Sequence, residues 1–130
     1  MIYIDSAALV KLVRIEPERA ALLQWLEDRR EVPLFSSALV EVELARALRR
    51  TDPAALPAVP ATMARVYRLE IDDTVRATAA AFGDPMLRSL DAIHLATALL
   101  ARTGLEAFVT YDQRLLTAAA QLGLPTASPC

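Results

Sequence analysis

Ile2-Tyr3-Ile4-Asp5-Ser6-Ala7-Ala8-Leu9-Val10-Lys11-Leu12 is the stretch that decides the architecture. Three consecutive apolar residues without polar alternation describe a strand covered on both faces, as in a parallel sheet. Asp5-Ser6 stops the strand, and Ala8, Leu9, Leu12 and Val13 then share one face of a helix over Ala7 to Arg14. The same alternation continues along the chain. A helix is expected from Pro17 to Arg30, with Pro17 in its first turn, and a strand from Val32 to Phe35. Ser36 or Ser37 then caps a helix that runs to about Arg50. Thr51-Asp52-Pro53 breaks the chain before a short helix within Ala54 to Ala64. Val66 to Ile71 reads as a strand and Asp72 to Phe82 as a helix. A strongly apolar helix opens at Ser89 or Asp91 and closes at Gly104. Ala107 to Thr110 is a strand, Asp112 to Leu122 a helix closed by Gly123, and Pro125 to Ser128 an edge strand. Short apolar strands alternating with helices predict an α/β fold with a parallel sheet and helices on both faces.

Composition bounds what such a fold does. The 130 residues suit a single domain, 1–130, and no repeat or linker divides them. With 55% hydrophobic and 23% charged residues the chain is not disordered, and with 5% aromatic its core is aliphatic. The net charge of −2 argues against loose nucleic-acid binding unless carboxylates are neutralised by metal. Lys11 is the only lysine; the other basic residues are arginines, whose planar fork suits phosphate. Cys130 is the sole cysteine, which excludes an internal disulfide. Neither a signal peptide nor an apolar run of membrane-spanning length is visible, so the expected location is the cytoplasm and no membrane partner is expected.

Chemistry in an open α/β sheet gathers beyond the carboxyl ends of the strands. Asp5 and Asp112 fall there, and Asp91 lies at the start of the most apolar helix. Each also reads as a helix N-cap, worth ~1 kcal/mol. Glu43 and Glu41 both interrupt a greasy helix, and helical period does not separate them; either also reads as a solvated residue pairing with an arginine. Gathered in one crevice, such carboxylates repel by ~4 kcal/mol per close pair at an effective dielectric of 20. A cluster of that kind requires cations, and oxygen-only donors favour Mg²⁺ or Mn²⁺ over Zn²⁺. These ions suit phosphodiester hydrolysis. Neutralising four carboxylates turns the net charge from −2 to +2 and admits an RNA partner.

Four blocks resemble the PIN-domain family, especially its VapC-type toxins: Tyr3 to Leu12, Ser36 to Arg50, Leu87 to Ala98 and Phe108 to Leu115. The resemblance covers essentially the whole chain, in order. It implies a three-layer α/β/α sandwich around a short parallel central sheet. It implies a metal-dependent endoribonuclease that cleaves RNA and blocks translation, active as a homodimer and neutralised by a VapB-like antitoxin. The resemblance assigns the metal-binding and catalytic acids as Asp5, Glu43, Asp91 and Asp112, taking Glu43 over Glu41 from the Ser-x-x-x-x-Glu-Leu spacing. Many relatives carry a further acid after the fourth motif's Asp, where Arg114 and Leu115 stand here, so Asp112 is the less essential ligand. On this reading Asp5 and Asp91 hold one Mg²⁺, Glu43 assists or accepts a proton, and Asp112 holds a second ion.

Secondary candidates have plainer alternatives. Ser6 and Thr110 are hydroxyls that orient carboxylates, or simply local caps. Lys11, Arg14, Arg46, Arg49 and Arg50 are phosphate contacts or a solvated face. His94 reads as a packed, hydrogen-bonded helix histidine before it reads as a general base. Trp25 reads as core or dimer contact, and Tyr111 as a residue that touches a base only in a minority reading. A haloacid-dehalogenase-type site lacks its second Asp, since Ala7 stands there, and three glycines make no phosphate-binding loop. The alternative from another class is a catalytically inactive PIN-fold partner-binding module, grooved between the helices of Ala7 to Arg30.

Overall fold

The computed structural model describes residues 1–130. Its first half comprises β1 (Ile2–Ile4), α1 (Ser6–Val13), α2 (Arg19–Glu27), β2 (Leu34–Ser37), α3 (Val40–Thr51), a 3₁₀ turn (Pro53–Ala58) and α4 (Val59–Met63). Then follow β3 (Val66–Leu69), α5 (Asp73–Ala81), α6 (Ser89–Leu99), a 3₁₀ turn (Arg102–Gly104), β4 (Ala107–Val109), α7 (Gln113–Gln121) and β5 (Thr126–Ala127). The five strands form one parallel sheet in the order β3-β2-β1-β4-β5.

The pleat of β1 sorts the core into two halves. Ile2 and Ile4 point to one face, where they meet Leu9, Leu22, Leu26, Val40, Leu44 and Leu48 from α1, α2 and α3. Tyr3 points to the other, against Phe35, Phe108, Leu95, Leu115 and Ala119 from the neighbouring strands and α6 and α7. The expected three-layer α/β/α sandwich is therefore present. Each fully buried Leu or Phe side chain contributes roughly 1.5–3 kcal/mol. On α3 the buried positions Val40, Leu44 and Leu48 recur every fourth residue, the stripe that an amphipathic helix lays on a sheet.

Local expectations failed at two serines and one glycine, and at the ends of one helix and one strand. The second strand lies at Leu34–Ser37 instead of Val32–Phe35, because Ser36 and Ser37 pair in register with Arg68 and Leu69 of β3 and are wholly buried. Neither caps α3 as expected. Ser37 Oγ instead accepts from Leu39 N (3.1 Å) in the turn ahead of the helix. Helix α6 ends at Leu99, and Gly104 belongs to the separate 3₁₀ turn. Helix α2 begins at Arg19, so Pro17 precedes it, and β3 stops at Leu69.

Gly123 does close α7. Leu124 N bonds Ala119 O (3.1 Å) and Gly123 N bonds Ala120 O (3.0 Å), with Gly123 at φ +80. A Cβ there meets no atom within 4 Å, so substitution acts through the backbone alone. Gly123→Ala is expected to cost about 1–2 kcal/mol, read from the urea midpoint. Gly104→Ala, whose Cβ touches only Met1 Cε at 3.9 Å and whose φ is ordinary, should stay within about 0.5 kcal/mol of the parent.

Candidate functional site

The strand order reverses at β1, whose chain neighbour β2 lies on one side and β4 on the other. Asp5 follows β1 and Asp112 follows β4, so the crevice beyond these two strand ends is the switch point where α/β sheets bind ligands. An open cavity of about 340 Å³ lies there, and its lining includes Asp5, Glu43, Asp91, Asp112, Arg88 and His94. The fold thus brings all four predicted acids to one place, from the ends of two strands and from α3 and α6.

Each acid is held by a different device. Asp5, only 2% exposed, caps α1 by accepting from Ala8 N (2.9 Å) through Oδ1. Its Oδ2 accepts from the buried Thr110 hydroxyl, which itself accepts from Asp112 N (3.0 Å). Both donors to Asp5 are neutral. Burial pushes its carboxyl up to about 6, against the pull of the Thr110 and Ala8 hydrogen bonds. Asp112 caps α7, with Oδ1 accepting from Arg114 N (2.9 Å) and Leu115 N (3.1 Å). Asp91 caps nothing. It stands in the first turn of α6 and accepts from Arg88 Nε (3.1 Å). The same guanidinium reaches Asp112 Oδ2 through Nη2 at 3.5 Å, so one arginine spans both acids.

Glu43 is engaged from below. His94 Nε2 lies 2.6 Å from Glu43 Oε1, and His94 Nδ1 lies 2.6 Å from the Tyr3 hydroxyl. Glu41, two residues away, faces outward and pairs with Arg68 at 2.9 Å. Geometry therefore separates the two glutamates that helical period left equal. His94 is the packed, hydrogen-bonded helix histidine expected of it, though its partner is a carboxylate of the cavity. Tyr3 and Arg88 went unremarked in the sequence. Their signals were a hydroxyl inside a fully buried strand, which requires a partner, and an arginine one turn ahead of Asp91.

The remaining candidates divide. Thr110 orients Asp5, whereas Ser6 lines the cavity with no hydrogen bond to an acid. Lys11 is bound to Glu16 (2.6 Å) and Glu18 (2.9 Å), and Arg14 to Glu16 (3.3 Å). Trp25 packs on the core with Arg29 over its ring. Tyr111 donates its hydroxyl to Pro129 O (2.6 Å) and carries Lys11 over its ring.

No three of the acidic, imidazole and thiol groups stand close enough to share one ion as they are placed. The donor set nevertheless fits a hard divalent cation. It consists of carboxylate oxygens, and Asp5 is a buried carboxylate with no cationic partner, a costly arrangement that a bound ion relieves.

The elevated Asp5 value has a thermodynamic consequence. The folded carboxyl binds its proton more tightly than the unfolded one. Its contribution to stability is therefore full below about pH 3.8 and is lost as pH rises through about 6. In chelator, wild type should lose on the order of 3 kcal/mol relative to Asp5→Asn between pH 3.5 and 7. Paired urea titrations across that range test this; parallel pH profiles would refute it.

Comparison with known proteins places the molecule in a family. The PIN domain profile matches residues 2–121. Ribonuclease VapC35 of Mycobacterium tuberculosis (strain H37Rv) is 56% identical over 131 residues, spanning 99% of this chain and 97% of that protein. Ribonuclease VapC46 of the same strain is 41% identical over 128 residues, spanning 98% and 97%. Among solved structures, Mycobacterium tuberculosis VapC20, described as a sarcin-ricin loop cleaving toxin, superposes with a TM-score of 0.72. That likeness covers 99% of this chain and 100% of VapC20 at 15% identity, and it concerns the fold. With its β1–β4 crevice lined by four acids, this chain belongs to the PIN-domain family, on the branch that holds the VapC ribonucleases.

Proposed function

We propose that this single domain is a metal-dependent endoribonuclease and the toxin of a toxin–antitoxin pair, with Asp5, Glu43, Asp91 and Asp112 as its metal-binding and catalytic acids. The observation that carries the reading is the convergence of four carboxylates on one open cavity, in a chain 56% identical to a named ribonuclease. The reading includes Mg²⁺ or Mn²⁺ as cofactor, RNA as substrate, a VapB-like antitoxin, a homodimer and a cytoplasmic site of action. No helix is long and apolar enough to cross a membrane.

Asp5, Asp91, Glu43 and Asp112 would hold the divalent ion or ions. Such an ion, when bound, acidifies water and neutralises charge on the phosphate and the leaving oxygen. The chain's own groups do the rest. Asp5 is fixed by Ala8 N and Thr110, so its carboxylate is oriented before substrate arrives. Glu43, at the cavity wall, holds the ion or takes the proton of the attacking water. Arg88, with an exposed guanidinium, is placed to exchange its carboxylate partners for a substrate phosphate.

The strand of RNA has room beside the acids. A groove of about 510 Å³ between the Asp84–Asp91 segment and α7 shares Arg88 and Asp91 with the acidic cavity and carries Arg114. On α3, Arg46 and Arg50 follow Glu43 at helical spacing, exposed and engaged by no carboxylate. Unlike Lys11 and Arg14, which pair with Glu16 and Glu18, they have no carboxylate to give up for a phosphate.

Purified chain, freed of antitoxin, should cleave cellular RNA into discrete products with Mg²⁺ or Mn²⁺ and not with chelator. Asp91→Asn should lower the rate by roughly 100-fold or more while the protein stays folded. Intact RNA with folded, metal-supplied wild type sinks the catalytic reading and leaves the partner-binding module. Replacing Arg46 and Arg50 together by Ala should weaken RNA binding and reduce the slope of log K against log salt by roughly 1.4. An unchanged slope removes α3 from the RNA path.

A further inference from the structure

Tyr3 is the one polar-tipped residue in a strand otherwise built of isoleucine. Its ring is fully buried, stacked on Phe108 with centroids 4.9 Å apart and set edge-on to Phe35 at 5.1 Å. The hydroxyl therefore cannot swing. It accepts from Ser37 N (3.3 Å), which leaves its own proton for His94 Nδ1, 2.6 Å away. A ring that accepts at Nδ1 carries its proton on Nε2, and that nitrogen faces Glu43 Oε1 at 2.6 Å. His94 is only 2% exposed, and no other side chain bonds Glu43.

We propose that Tyr3 and His94 are positioning residues for Glu43: a buried relay, from the Ser37 amide through the Tyr3 hydroxyl and the His94 ring, holds the Glu43 carboxylate toward the acidic cavity. The inference rests on the metal-dependent nuclease reading and adds to it the source of Glu43's orientation. A free glutamate loses rotamer entropy when fixed. Here that cost is met at folding by groups that are themselves immobile, so the carboxylate is set before any ion arrives. A buried imidazole has two ring nitrogens to satisfy, and what sets this one apart is the identity of the second partner. His94 has one for each, and the second is an acid of the cavity.

The test titrates Mn²⁺ alone into the intact chain, followed by calorimetry or by electron paramagnetic resonance. Tyr3→Phe keeps the ring packing and removes only the hydroxyl. It should weaken Mn²⁺ binding by about 10-fold, and His94→Leu by at least as much. His94→Gln, whose amide can still donate toward Glu43, should recover most of the loss. Nitrogen-15 spectra of the His94 ring should show the neutral Nε2–H tautomer in wild type and a mixture in Tyr3→Phe. In RNA cleavage the loss should fall on kcat more than on KM. Variants that remain folded and bind Mn²⁺ as wild type does would overturn the relay alone. So would a wild-type ring protonated on Nδ1. Wild type that takes up no Mn²⁺ overturns both the relay and the nuclease reading.

Discussion

Strand β1 is hydrogen-bonded along both edges and covered on both faces, and the rest of the molecule is arranged around that fact. Its pairing with β2 and β4 places the switch point at its carboxyl end. Its pleat sends two isoleucines to one helical layer and a tyrosine to the other. Three residues therefore define the core, the crevice and the anchor of Glu43. A strand so short can do this because a parallel neighbour on each side satisfies its backbone, and no residue has to be spent on an exposed edge.

The site gathers charge of one sign, and its stability depends on how each charge is answered. Asp5 has two neutral donors, Glu43 an imidazole, and Asp91 and Asp112 share a half-exposed guanidinium. The exposed pairings contribute little to stability. Burial of Asp5 costs more, and nothing in the protein returns that cost with a positive charge. Such local conflict is what functional sites look like when the surrounding fold is otherwise consistent.

Much of this was legible in the chain. The apolar run at Ile2–Ile4, the caps at Asp5 and Asp112 and the glycine after α7 have local causes, and local causes are written in sequence. The misreadings share one origin. Ser36 and Ser37 carry a capping signal, yet pairing with β3 draws them into the sheet, where small side chains fit beneath the helices. Asp91 also carries that signal, but its helix starts at Ser89, so its carboxylate faces the crevice instead of the helix amides. Glu41 and Glu43 stand about 200° apart around the helix axis, and only the sheet beneath decides which one faces inward. The links Arg88–Asp112 and Tyr3–His94 join segments 24 and 91 positions apart, a distance at which no local pattern speaks.

The bond from Thr110 to Asp5 spans 105 positions. Its consequence lies in the order of synthesis. A chain emerging from the ribosome presents Asp5 and Glu43 early, with no Arg88, Asp91, Thr110 or Asp112 to complete the crevice. The switch point itself does not exist until β4 has docked on β1. The four acids are thus kept apart until the β4 segment has been synthesised. A chain that cuts RNA would acquire its cutting site only once that strand has emerged and docked.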